Sequence, residues 1–146
     1  DMNNGKAAFP EFHNVYIDPD SWAHWKEKGE FCDETIIIKE LVSVASKAAV
    51  SNNGYYQGNY IGLEATIKSK EHFPDEPGNW AFFSFSSPDH KTLATKAKAF
   101  PTESCNACHE KAAADDFVFT QYYPVLREGK GTGEKGTGGM SSELSK

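Results

Sequence analysis

An α+β fold, built mainly from an antiparallel sheet with a few helices, is what this sequence predicts. Three segments rich in β-branched and aromatic residues supply the sheet: TIIIKELVSVAS (35–46), YYQGNYIGLEATIK (55–68) and WAFFSFS (80–86). The segment DPDSWAHWKEKG (18–29) carries start and stop signals of a helix, and SCNACHEKAAA (104–114) reads as another near the C-terminus. At 146 residues the chain is long enough for one domain with its own core and too short for two ordinary ones.

The elements follow in order. FHNVYI (12–17) alternates well enough for a strand. In the next segment Asp18 is the N-cap, Pro19 takes the first helical position and Gly29 ends the helix. Trp22 and Trp25 share one face and are read as core. The strands at 35–46 and 55–68, joined by SNNG, predict a hairpin. EHFPDEPGN is a turn-rich link to the strand at 80–86. DHKTLATKAKA predicts a short polar helix, and FVFTQYYPVL an extended run after the helix at 104–114. Beyond residue 128 the chain is rich in Gly, Lys and Ser, so a folded domain over 1–128 and a flexible tail over 129–146 are expected.

Bulk properties exclude some functions. A net charge of −6 and the lack of a basic stripe argue against a nucleic-acid partner. With a mean hydropathy of −0.60 and no long apolar run, no membrane span is expected. The opening DMNNGKAAFP has neither the positive start nor the apolar stretch of a secretory signal, and is read as the start of a mature, processed form.

The chemistry-bearing motif is Cys105-Asn106-Ala107-Cys108-His109. Two thiols three residues apart add across the vinyl groups of haem, and the adjoining histidine reaches the iron. Cys105 and Cys108 are thus the expected thioether anchors of one haem c, with His109 as axial ligand. A zinc or redox pair is the competing reading; zinc needs two further ligands, and only Cys32 and scattered histidines remain. Met2 and Met140 lie at the chain's extremes, poorly placed to close the iron's other side. Bis-histidine ligation would need His13, His24, His72 or His90, so an open sixth position is expected.

Two further residues stand out. Lys39, with Ile37 and Leu41 as same-face neighbours, should be partly buried. Snorkelling or ion pairing is the plain explanation; burial would also favour the free, nucleophilic amine. Glu64 lies between apolar neighbours on a strand, either facing solvent or acting as a base in a pocket.

PTESCNACHEKAAADDFVFTQYYPVLR, VYIDPDSWAHWKEKGEF, IIIKELVSV, NGYYQGNYIGLEA and DEPGNWAFFSF together closely resemble the cytochrome P-460 family, whose relative cytochrome c′-beta shares its fold. The likeness covers residues 5–127. It implies a homodimer in the bacterial periplasm that oxidises hydroxylamine at a five-coordinate haem, giving nitrous oxide, or nitric oxide and nitrite. A soluble cytochrome would take the electrons. It further implies a bond from the Lys39 nitrogen to a meso carbon of the haem, and places an acid at Glu64 in the pocket. His13 stands where relatives carry arginine and is a second candidate base. The family's other branch implies a nitric oxide binding protein without the cross-link. A plain electron carrier is disfavoured by the missing distal ligand. Phe100 and Glu103 are expected at the pocket edge, with Glu103 as a possible helix cap. Phe117, Phe119, Tyr122 and Tyr123 are expected in the core around the haem, and Cys32 as a bystander.

Overall fold

Four strands pair antiparallel in chain order: β1 (Glu11–Ile17), β2 (Ile36–Ala49), β3 (Asn52–Lys68) and β4 (Trp80–Ser84). Among the described residues, three α-helices accompany them: α1 (Pro19–Lys28), α2 (Asn106–Ala112) and α3 (Pro124–Gly129). This is the α+β arrangement expected. The computed structural model describes residues 11–49, 52–89 and 91–133. Among them no helix is long and apolar enough to cross a membrane.

Local chemistry sets the first elements. The Asp18 side chain accepts from the Ser21 amide at 2.9 Å and from the Ile36 amide at 3.0 Å, so one carboxylate caps α1 and ties it to β2. Gly29, at φ 75°, ends α1 by donating its N–H to the Trp25 carbonyl. β2 and β3 form the expected hairpin, with strand pairing continuing to Ala49 and Asn52, so most of the SNNG link is strand. Register shifts at Leu41/Val42 and Val42/Val44 mark an irregularity, beyond which β2 and β3 stay paired.

Apolar residues gather on one face of the sheet. Trp25, Phe31, Trp80, Phe82, Val118 and Leu126 form the buried cluster, with Ile17, Trp22 and Ile37 packed against it. Trp25 is fully buried, stacks on Phe31 with centroids 4.3 Å apart, and donates its indole N–H to the Leu126 carbonyl at 2.8 Å. That bond joins α1 to α3 across the core.

Two expected elements differ. DHKTLATKAKA forms turns and bends instead of a helix over its described residues. Its backbone groups pair with the chain leaving β4, through Ala94 N–H to Phe85 O and bridges Ser86–Leu93 and Phe83–Ala99. Asp89 accepts from the Lys91 amide, a local bond that favours a turn over a helix. FVFTQYYPVL is not extended: it makes a 3-10 turn over Thr120–Tyr122, and Pro124 then starts α3. The anticipated tail boundary falls inside α3. Gly131 and Gly133 donate their amides to the carbonyls of Trp25 and Lys26; residues from 134 onward lie outside those described.

Replacing Trp25 by Phe should remove the bond to Leu126 and leave a gap in the cluster. Chemical denaturation should show a loss of about 2–4 kcal/mol, with little change in the denaturant slope.

Candidate functional site

One rung of the sheet crosses all four strands: Val15 pairs with Lys39, Lys39 with Glu64, and Glu64 with Ser84. Directly paired residues share a face, and side chains two apart along a strand return to it. The next rung on that face is therefore Ile17, Ile37, Thr66 and Phe82, which belongs to the core side. On the other side of the ion-pair rung come His13, Leu41 and Gly62. The apolar alternation that buries Ile37 and Phe82 thus also aims Lys39, Glu64 and His13 to the same side.

Lys39 Nζ lies 2.6 Å from Glu64 Oε2, and both side chains are 35% exposed. Cross-strand ion pairing is the plain reading of a lysine among isoleucines, and it joins the two residues singled out for chemistry. His13 Nε2 sits 3.3 Å from Glu11 Oε1, a carboxylate–imidazole pair in the neighbouring part of the same face.

α2 brings the Cys-x-x-Cys-His residues to this side. Cys105 is its N-cap residue, and Cys108 and His109 lie within the helix. Asn106, buried between them, donates its side-chain amide to the Trp80 carbonyl at 2.7 Å and fastens α2 to the start of β4. The His109 ring packs between Phe82, at 4.3 Å, and Phe119, at 4.6 Å between centroids. Its Nδ1 donates to the Phe117 carbonyl at 2.7 Å, which leaves Nε2 as the free ring nitrogen.

The carbonyl that receives this bond is held in an unusual turn. Val118 N–H donates to Asp115 O at 2.7 Å, and the two central residues, Asp116 and Phe117, have φ of 39° and 63°. Both central φ values are positive, the pattern of a type I′ turn that Asn-Gly normally occupies. A bulky L-residue in that region costs about 1–2 kcal/mol.

Electrostatics link the two halves of the site. Burial lowers the His109 pKa below the usual histidine value; the bond to Phe117 opposes this, Lys39 adds to it and Glu64 counters it. Burial raises the Cys105 thiol, and Glu64 pushes it the same way. Both residues on the α2 side therefore feel the Lys39–Glu64 pair.

This donor set fits a covalently held haem. Cys105, Cys108 and Cys32 are all free thiols. The neutral imidazole favoured at His109 is the form that binds iron, and its Nδ1 bond fixes Nε2 as the coordinating atom. Phe119 and the largely exposed Tyr122 stack behind it with centroids 6.0 Å apart, offering aromatic surface. A separate apolar groove of about 320 Å³ is lined by Val15, Ile17, Trp22, Tyr123 and Leu126, and none of Cys105, Cys108, His109, Lys39 or Glu64 contributes to its wall. Among the described residues, no three His, Cys, Asp or Glu side chains converge as a bare metal ion requires.

Other expected residues fall as follows. Glu103 is exposed and does not cap α2, whose N-cap has no side-chain hydrogen bond. Phe100 is partly exposed and donates its amide to Phe82 O. His24 is close to Glu30 and His72 is exposed, whereas His90, Met2 and Met140 lie outside the described residues. Cys32 sits 3.5 Å from the hydroxyls of Ser21 and Thr35. Phe82, Asn106 and the Asp116–Phe117 turn were not singled out by the sequence. Only the fixed spacing of Asn106 within the haem motif offered a signal for any of them.

A histidine with a lowered folded-state pKa leaves the folded chain with fewer bound protons than the unfolded one as pH falls below about 6.5. Its favourable contribution is present above that pH and is lost as pH falls through the folded value. The haem-free chain should therefore lose stability over this acid range, and His109→Gln should flatten that part of the profile of denaturation midpoint against pH.

The family model for cytochrome P460 matches residues 1–120 of the chain. No curated protein matches it. A match over most of the chain agrees with the Cys-x-x-Cys-His helix and the four-stranded sheet behind it: the protein belongs to the cytochrome P460 family and is a haem protein.

Proposed function

We propose that the protein oxidises hydroxylamine at one haem c, held by thioethers from Cys105 and Cys108, ligated by His109 and cross-linked to Lys39. The observation that carries this reading is the Lys39–Glu64 pair, 2.6 Å apart on the sheet face that also carries Phe82, the ring against His109. Family membership supports the haem; the pairing supports a pocket with both an amine and an acid.

Each residue has a distinct task. His109, favoured as the neutral imidazole and oriented by Phe117, would be the residue that ligates the iron. Lys39 would supply the nitrogen joined to the ring. Forming that bond removes one N–H and one ring C–H, so it needs a two-electron oxidant such as a peroxide; the bond would tune the electronics of the haem. When bound, haem supplies the iron that takes the substrate nitrogen and accepts its electrons. Glu64, no longer paired with an ammonium if Lys39 is cross-linked, would accept protons from the substrate. His13, paired with Glu11 on the same face, passes protons outward. A soluble cytochrome receives the electrons, in a periplasmic homodimer, as the family implies.

The ion pair also favours a second reading. A lysine held as ammonium by Glu64 is no nucleophile. A protein that kept the pair would bind nitric oxide without a cross-link, as cytochrome c′-beta does.

Digestion followed by mass spectrometry separates the two. The Lys39 peptide should carry the haem mass together with the Cys105–Cys108 peptide, and a freely cleaved Lys39 would rule the cross-link out. The reduced spectrum should show a Soret band well to the red of ordinary haem c. Glu64→Gln should slow hydroxylamine-dependent reduction of an acceptor cytochrome by about 100-fold or more while leaving the Soret position unchanged.

A further inference from the structure

The bond from His109 to Phe117 is only as constant as the turn that presents the carbonyl. Asp116 and Phe117 occupy consecutive left-handed conformations, a region Asp tolerates and the bulky Phe117 does not favour. Contacts from outside the turn hold it in that state. Lys68, at the end of β3, reaches Asp116 with Nζ 2.5 Å from Oδ2; its side chain is only 14% exposed. The same ammonium sits 5.4 Å from the centre of the Trp80 ring. Asp115 binds both Thr120 and Lys130. Beneath the turn lies Gly78, at φ 63°, where a Cβ would come within 2.6 Å of the Phe117 ring. A glycine is needed there for its backbone conformation and for the space the ring occupies.

The geometry points to a latch: Lys68 and Gly78 hold the Asp116–Phe117 turn in its strained form, and so set the strength of the proximal hydrogen bond and the reduction potential of the iron. This rests on His109 being the iron ligand and is independent of which substrate is oxidised. The latch acts on His109 through the Phe117 carbonyl, so Lys68, Asp116 and Gly78 are positioning residues.

The physical link is charge donation. An imidazole whose Nδ1–H is firmly bonded to a carbonyl carries more electron density on Nε2. It binds iron more strongly and favours the ferric over the ferrous state. A relaxed turn would move the Phe117 carbonyl away, lengthen the bond and reverse both effects. The midpoint potential would rise and the iron–histidine stretch would fall together. Loss of folding stability alone predicts neither change.

The test uses the purified holoprotein, with potentiometric titration and resonance Raman of the ferrous form. Asp116→Asn keeps a residue that tolerates left-handed φ while removing the charge, and Lys68→Met removes the cation. Gly78→Ala drives a methyl group into the Phe117 ring. All three should raise the potential and lower the iron–histidine frequency, with Gly78→Ala giving the largest shift; Lys68→Arg should restore values near those of the parent. If Gly78→Ala does not fold, the two charge variants decide. Unchanged potential and frequency in folded Asp116→Asn and Lys68→Met would overturn the latch. A histidine band that persists in His109→Gly would overturn the ligand assignment itself, and the latch with it.

Discussion

The register between β2 and β3 is the constraint on which the site depends. Lys39 stands opposite Glu64, and Ile37 opposite Thr66, because the strands pair in this one alignment. A slip of one residue would turn Lys39 to the far side of the sheet and bring Glu40 to the core face. The slip is opposed by the burial of Ile37 and Phe82 against Trp25 and Phe31. Packing and chemistry are therefore coupled: the alternation that fills the core also brings an amine and an acid to one place.

A second set of contacts positions α2. Asn106 ties the helix to β4 through the Trp80 carbonyl, and His109 wedges between Phe82 and Phe119. These links are short in space and long in sequence. The Cys-x-x-Cys-His residues approach the sheet near its ion-pair rung only because β4 offers both the carbonyl that anchors α2 and the aromatic ring that receives His109. Burial then keeps the imidazole neutral, the protonation state that coordination requires.

Much of this was legible in the sequence, for identifiable reasons. Asp18, Pro19 and Gly29 carry local signals that need no tertiary context, and α1 starts and stops where they indicate. The β-branched density of 35–46 survives in β2 for the same reason. The DHKTLATKAKA segment was misread because its helix propensity yields to backbone pairing with the chain leaving β4. FVFTQYYPVL was misread because aromatic content suggests extension while Pro124 begins a helix. Lys39 and Glu64 could be marked as out of place among apolar neighbours, but their pairing needed the register. The Asp116–Phe117 turn was invisible: it places Phe117 where turn rules call for Gly, and tertiary contacts hold it.

The most direct test of the site is a high-resolution crystal structure of the holoprotein. The expected map shows haem on the Lys39 face of the sheet, joined to Cys105 and Cys108 and ligated by His109. Continuous density should run from Lys39 Nζ to a ring carbon, with Glu64 facing an iron position that no side chain fills. Haem on the opposite face of the sheet, or a protein side chain bound at the sixth position, would contradict it.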